Sequence, residues 1–569
     1  MNARLELVKT GILLLLIVYV MYWGGKCMSA NVPKNESLVI LETLIRQEER
    51  RRSLSAFEVG PFKEIEEIWQ LEDTRAEAED NLVQSMFCAE YELGYDKQSN
   101  TFFCSLGMEG DEWPDLTFYA SGKEDLQVVW VDDYTYDSRE DAVRNGYSYE
   151  LFAYTEESYS YFNLVFTGLP IVTLHVESDE EIGEEYIPAR ATVFGQGFDA
   201  IDSAALVHTR GGGYEKPIDK YSYRLEFHDE QGYGRDKKTK KSVLGMEADS
   251  DWLLLGNASD QSAVRNYLAF DLWKKWNPDG ALTVLENRMV ELFVNNEYVG
   301  VYQIMQRISP QKEIIKVGGN IETDCAIRVV APQNQSDKPL MKLMDEMGYH
   351  VEYQYEPHGN AKQAFKNLEE YVLLNQKSEV IDDQTFIDLA SKHIDIEDLM
   401  SYYLFLQAGV LYSDNIYNNH YIWMFWENGR YVYRLSPWDM DFAFSGVFME
   451  DGSLMVKFAM APIVATRMLD LDCMESRKVL HSIWAQKKET ILTDDALEEW
   501  MLGIEEEINA SGAYLRESEK WYGNAQELNL KERLYILNNQ KKVIQDHLDY
   551  IWPVLEENKI EFTEKEAGL

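Results

Sequence analysis

Cysteine is scarce in this chain: five residues in 569, at Cys27, Cys88, Cys104, Cys325 and Cys473. None forms a C-x-x-C pair, which excludes a zinc ribbon. Cys88 and Cys104 flank ELGYDKQSNTFF, a segment that reads as a hairpin. They would either face each other as a disulfide in an oxidising compartment or sit as two buried thiols. Positive charge is also short, with 54 basic residues against 99 acidic ones and a net charge of −45. Such a surface repels phosphate backbones, so no nucleic-acid partner is expected. It repels nucleotides at long range too, so a nucleotide site here needs a local basic lining or metal ions. Internal repeats and low-complexity tracts are absent. Hydrophobic residues make up 45% and aromatics 13%. That is enough for a large core and argues against global disorder.

The unbroken apolar run Gly11–Trp23 (GILLLLIVYVMYW) follows Arg4 and Lys9. It reads as a signal peptide core or a short anchor, and an uncleaved anchor is expected because no A-x-A site follows. Residues 1–30 are therefore assigned to a signal-anchor or transmembrane segment. The positive flank favours an inside N-terminus, although Arg46, Arg50, Arg51 and Arg52 stand on the other side. Residues 31–85 are charged and helical in period and read as a linker. From Met86 to Pro170, short runs rich in Tyr, Phe, Val and Thr alternate with Gly, Asp and Asn. That texture predicts a small all-β sandwich over 86–170. Its tyrosines (Tyr147, Tyr149, Tyr154, Tyr161) are strand residues or, on a sharper reading, a carbohydrate platform. Residues 171–569 mix strands and helices, with IVTLHV and YSYRLEF as strands, a hairpin turned at Asn295-Asn296, and a helical block over 473–555. The fold class expected is thus α+β.

The stretch from Ile394 to Phe444 carries the chemistry. Asp395 caps an apolar helix that gives way to LYSDNIYNNHY. YIWMFWENGRYVYRLS then reads as two strands around Asn428-Gly429, the strongest local hairpin signal. PWDMDF follows at once. Folding that hairpin puts Asn419 roughly opposite Trp438–Asp439, with Asp414 just upstream of the same end. Two carboxylates and an amide oxygen at one point suit magnesium carrying a nucleotide, where water and phosphate supply the remaining ligands. The spacing Asp414-x-x-x-x-Asn419 equals that of the protein-kinase catalytic loop, where the Asp takes the hydroxyl proton and the Asn holds a metal. Asp441, two residues beyond Asp439 in an extended segment, is expected to point to the same side. It would be a second metal ligand or an acceptor behind the ligands. The same residues also fit a plainer role, with Asp414 and Asn418 as turn formers and Asp439 as a loop cap.

Longer segments resemble the CotH family of spore-coat protein kinases. KYSYRLEF (Lys220–Phe227), SVLGMEADSDWLLLGNASDQSAVRNYLAFDLW (Ser242–Trp273), VELFVNNEYVGVYQIMQRI (Val290–Ile308), YSDNIYNNHYIW and SPWDMDFAF match its ordered motifs. The resemblance runs from about Ile171 to the C-terminal helices. It implies an atypical kinase that uses ATP with Mg²⁺, or Mn²⁺, to phosphorylate Ser/Thr-type hydroxyls of a coat or cell-envelope protein. By carry-over Asp414 is catalytic, Asn419 and Asp439 bind metal, and Lys220 reaches the phosphates. The plainer reading of Lys220 is a solvated strand lysine. Arg265 begins the family's R-N helix and would touch phosphate, or else pair with Asp260 or Asp271. Three departures stand out. The family's Arg-Gly-Asn appears as Arg210-Gly211-Gly212, a family Glu is replaced by Gln306, and Asn-Asn replaces Asn-Gly at 295–296. If the missing Glu orients the lysine, nucleotide affinity suffers.

Two other classes remain open on the sequence. One is a non-catalytic, kinase-like surface or envelope scaffold that binds protein or glycan. The other is a metal-dependent hydrolase. With the anchor, the expected location is the extracytoplasmic face of a bacterial membrane.

Overall fold

A computed structural model describes residues 59–551, except 84, 89–90, 107–117, 121–124, 132–137, 177–180, 212–217, 230–232, 234–236, 279–281, 330–350, 356–360, 376–377, 412–418, 449–453 and 456–462. The apolar run Gly11–Trp23 and Cys27 lie outside the described residues. Among the described residues no helix is long and apolar enough to cross a membrane. The mixture of helices with several separate sheets is α+β.

A seven-stranded closed barrel occupies residues 171–306. Its strands are Ile171–Val176, Ile187–Phe194, Ile201–Arg210, Ser222–Phe227, Asp251–Leu255, Glu297–Gln306 and Asn287–Val294, in the order in which they pair. The ring closes by a parallel pairing between the first and last of these, while every other pair is antiparallel. Closure removes both sheet edges and lets alternate residues fill the interior. Val172, Leu174, Leu225, Phe227, Trp252, Leu254, Leu292 and Tyr302 form that interior. Asn295 and Asn296 turn the last hairpin, both at positive φ (50° and 63°), as a two-residue primed turn requires.

The second body is a four-stranded antiparallel sheet, ordered Val351–Tyr355, Cys325–Val329, His420–Glu427 and Arg430–Pro437. It shares the largest core with the helix Arg265–Trp276 and the C-terminal helices. The helix Ile396–Ala408 is buried on nearly every side, and Asp395 caps it by accepting from the Asp398 amide at 3.2 Å. A helix that is apolar all round belongs in the middle of a core.

Residues 76–167 contribute a six-stranded mixed sheet, whose sixth strand is Ala76–Glu77, and a three-stranded sheet over one core, which includes Met86, Phe102, Leu151 and Leu164. The linker expected over 31–85 ends sooner than the charge pattern suggests. Gly60 bridges to Val129, and Ala76–Glu77 pairs with Ser158–Tyr159. The helix Ile65–Glu72 buries Ile68 against Val129, Phe152 and Tyr154. Charge and helical period alone do not reveal one apolar stripe docking on a sheet. Of the tyrosines, Tyr149 is buried, while the hydroxyls of Tyr154 and Tyr161 bond to Gln127 and Glu72. The hairpin between Cys88 and Cys104 forms, with Gly94 opposite Phe103. Cys88, however, lies in the other sheet, and the two adjacent thiols are not bridged.

Candidate active site

The hairpin His420–Glu427/Arg430–Pro437 is in register from Glu427↔Arg430 to His420↔Pro437. Asn428 and Gly429 turn it at φ 52° and 81°. One step beyond the ladder, the Trp438 amide donates to the Asn419 carbonyl at 2.8 Å. Asn419 therefore stands opposite Trp438, one residue from Asp439. Both Asn419 and Asp439 have positive φ (50° and 53°), so the chain turns sharply at each. Asn and Asp tolerate that region better than bulkier residues. Asp414 lies outside the described residues.

The D-M-D segment is not extended. Asp439 is left-handed and residues 441–444 form a turn in which the Ala443 amide donates to the Met440 carbonyl at 3.0 Å. The two carboxylates are thus not set side by side by strand alternation, because alternation holds only in extended backbone. Asp441 instead accepts a short hydrogen bond from the Ser259 hydroxyl. The Met440 amide between them is held by Asn266 Oδ1 at 2.8 Å, and the Asn266 amide donates to Gln303 at 2.8 Å.

Arg265 is tied into the same junction. Its Nε lies 3.0 Å from Asp260 Oδ1, and its two terminal nitrogens donate to the Ser259 carbonyl (2.8 Å) and the Ser445 hydroxyl. Asp260, fully buried, also receives the Arg265 amide at 2.8 Å and the Ser262 amide at 3.0 Å. These contacts belong to the structural pairing rather than to a phosphate contact. They lash the loop 257–263 to the loop 439–445.

Lys220 sits just before the barrel strand Ser222–Phe227 and is 1% exposed. Its ammonium donates to Glu517 Oε1 at 2.5 Å and to the Val301 carbonyl at 2.7 Å, and lies 5.0 Å from the centre of the Tyr302 ring. A solvated lysine is therefore not what the fold makes of it. Burial lowers its pKa, and Glu517 opposes that shift. Glu517 comes from the helix Ala513–Tyr522 and also accepts from the Val301 amide at 2.7 Å. Gly300 makes room for it: at φ 122°, a Cβ there would run into the Glu517 carboxylate. Gln306 has no part in this pairing. It stands five strand residues from Val301, about 17 Å along the strand, and donates to the Glu247 carbonyl. Its substitution for Glu leaves the lysine's partner untouched.

A basic lining is present. Arg210, the last residue of its barrel strand, lies over the Trp438 ring at 5.4 Å. Burial lowers the pKa of its guanidinium. Asp439 works against that shift, while Arg328 and Arg307 are close enough to reinforce it. Arg210 pairs in register with Ser222, so Arg210 and Lys220 are at the same end of the barrel. Among the described residues no group of three His, Cys, Asp or Glu side chains could hold a metal by itself. A magnesium site made of one carboxylate, one amide and substrate oxygens does not require one.

A family model described as CotH kinase protein matches residues 207–559, more than half of the chain. The chain belongs to that family. No curated protein matches it significantly. Membership gives a CotH kinase its general type, and the fold shows what several motif residues do. The Glu of V-E-L, Glu291, is buried and accepts from Arg516 Nε and Nη2, each at 2.9 Å. The glycine of the same motif is the one that admits Glu517. The match begins at Val207, inside the third barrel strand, so this CotH domain completes its barrel with strands upstream of the match. The residues that sequence reasoning missed are Glu517, Asn266 and Arg210. For Arg210 a signal existed, because it stands in the Arg-Gly segment already compared with the family. For Glu517 there was none.

Proposed function

We propose that this CotH kinase transfers the γ-phosphoryl of ATP, with Mg²⁺ or Mn²⁺, to a Ser/Thr-type hydroxyl of a coat or cell-envelope protein. The observation that carries the reading is the bond from the Trp438 amide to the Asn419 carbonyl, which sets Asn419 beside Asp439 at the end of a rigid hairpin. Asp439 and Asn419 would hold the divalent ion, which when bound neutralises charge on the phosphate oxygens. Asp439 would supply the charge that an amide lacks, and Asn266 and Ser259 fix the loop that presents it. Arg210 would add positive charge beside that carboxylate, meeting the need for a local basic lining in so acidic a chain. Lys220, held by Glu517, would orient the phosphates, as the paired strand lysine does in kinases. Asp414 would accept the hydroxyl proton.

One observation favours a second reading, a non-catalytic scaffold. The Lys220 ammonium is buried and held by Glu517 and the Val301 carbonyl, turned to protein partners rather than to a ligand. Incubation with radiolabelled ATP and Mg²⁺ or Mn²⁺ separates the two. Labelled protein that disappears in Asp439→Ala supports the kinase. Unlabelled protein with both metals supports the scaffold, and ATP turnover without phosphoprotein points to a hydrolase. An uncleaved N-terminal anchor and an extracytoplasmic location form part of the same proposal. Full-length protein is expected to pellet with membranes, and recovery of uncleaved chain in the soluble fraction would remove the anchor.

A further inference from the structure

The β-region before residue 170 does not hang from the barrel on a tether. Leu169 and Ile171 are buried, and Phe103 and Val165 share a cluster with the barrel residues Ile171, Phe293 and Tyr298. The same region grips the corner between two C-terminal helices, Asp494–Ala510 and Ala513–Tyr522. The Ser511 carbonyl receives the Gly168 amide at 3.1 Å and the Thr167 hydroxyl at 3.2 Å. Gly512, at φ 69°, lies so close to the Val143 carbonyl that a Cβ there would collide with it. Arg144 reaches across the seam to Glu527 at 3.1 Å and to Glu506 at 3.2 Å.

That corner is where the helix bearing Glu517 begins. From Gly512 to Glu517 is about 7.5 Å of helix, too short to absorb a displacement. The next residues are Arg516, paired with Glu291 and lying over the Phe103 ring at 5.7 Å, and then Glu517 on Lys220. Phe103 and Thr167 come from adjacent strands of the β-region sheet, paired in parallel. One sheet thus touches the helix start, its Arg516 and the barrel wall beneath it.

We propose that the N-terminal β-region is a positioning module for the Lys220–Glu517 pair, acting through the Ser511–Gly512 corner. It sets the height of the Ala513–Tyr522 helix over Gly300, and thereby whether the Lys220 ammonium is held in place. Thr167, Val143 and Arg144 are positioning residues in this scheme, and a ligand or partner that strained the seam would be felt at the lysine. The effect on nucleotide rests on the kinase reading above, whereas the effect on the lysine itself does not.

The test reads both. In Arg144→Glu, three carboxylates would crowd the seam where Arg144 paired with Glu506 and Glu527. In Gly512→Ala, the added methyl pushes the corner off Val143. Brief acetic anhydride labelling of the intact protein, followed by peptide mass spectrometry, measures Lys220 reactivity against the other lysines. Amide exchange at 511–513 reports whether the seam has opened. The expected result is a rise in Lys220 labelling of about tenfold, and a similar rise in KM for ATP with kcat changed less, within the usual range for coupling between sites. Faster exchange at 511–513 with Lys220 labelling and KM at wild-type values overturns the proposal. So does unchanged exchange in both variants, because the seam then carries no strain to the corner. If Gly512→Ala does not fold, Arg144→Glu decides alone. If the wild type transfers no phosphoryl group, the kinase reading falls, and the labelling still judges the positioning role.

Discussion

The two sides of the candidate site are built on different length scales. Asn419 and Asp439 are twenty residues apart and are joined by a hairpin whose turn, register and exit lie within that interval. Lys220 and Glu517 are separated by 297 residues and meet only because a C-terminal helix docks on the barrel. The first side is local and inherits the stability of a ladder. The second is a buried ion pair whose desolvation is offset only while the helix sits correctly. Apart from the Asn266 and Ser259 contacts that fix its exit loop, the acidic side should tolerate change elsewhere in the molecule better than the lysine side does.

The largest effects are expected at the acidic side, where the chemistry would occur. Asp439→Ala should abolish transfer and strongly weaken Mg²⁺-dependent ATP binding, because Asp439 would hold the ion that neutralises phosphate charge. Titration with ATP, with and without Mg²⁺, checks this, and near-wild-type activity would remove the metal site. Asp414→Asn should keep ATP binding while lowering transfer by about a hundredfold, the range for loss of an acid–base group. A parallel loss of binding would move Asp414 from proton acceptor to ligand.

Breaking the lysine side should show first as instability. Lys220→Met or Glu517→Gln alone leaves a buried charge or its partner uncompensated and should cost about 3–5 kcal/mol in urea unfolding. The double variant should recover much of that. Additive losses would mean that the two groups do not act as a pair. The hairpin side should be less sensitive. Gly429→Val puts a β-branched residue at φ 81° and should cost about 1–3 kcal/mol. Its transfer rate should fall only if the register to Asn419 slips.

The smallest contrast concerns Glu226, at the far end of the strand that follows Lys220. Burial alone would raise its carboxyl, but the His228 ring, the Lys238 ammonium, the Tyr186 hydroxyl and Arg224 hold it well below the usual carboxylate range of 4.5. The unfolded chain therefore binds a proton that the fold resists. This contribution to stability is present above about pH 4.5 and is lost as pH falls toward the lower folded value. Wild type should lose stability more steeply than Glu226→Gln between pH 7 and pH 3. Parallel melting curves would show the network to be without net effect.

Much of the acidic side was legible because its signals are local. Asn428-Gly429 specifies a two-residue turn, and counting outward from it places Asn419 against Trp438. Counting failed one step later. The extended geometry assumed for Asp439–Asp441 gives way to a left-handed residue and a turn, enforced by Asn266 and Ser259 from another part of the chain. The linker expected up to residue 85 failed for a similar reason, since Ile68 is one of a few apolar residues in a charged helix and its receptor is a sheet some sixty residues on.

By itself the sequence determined the elements whose causes lie within a few residues: the turns at Asn295-Asn296 and Asn428-Gly429, the Asp395 cap, the apolar helix that must be central, and the family to which residues 207–559 belong. Tertiary structure alone decided that seven strands close into a barrel, and that Lys220 meets Glu517 while Gln306 stands aside. It also brought Arg210 to Asp439 and let the β-region grip the Ser511–Gly512 corner. The physical reason is that turn and cap preferences are energies of one residue and its neighbours. A buried ion pair has no energy until distant segments have excluded the water between them.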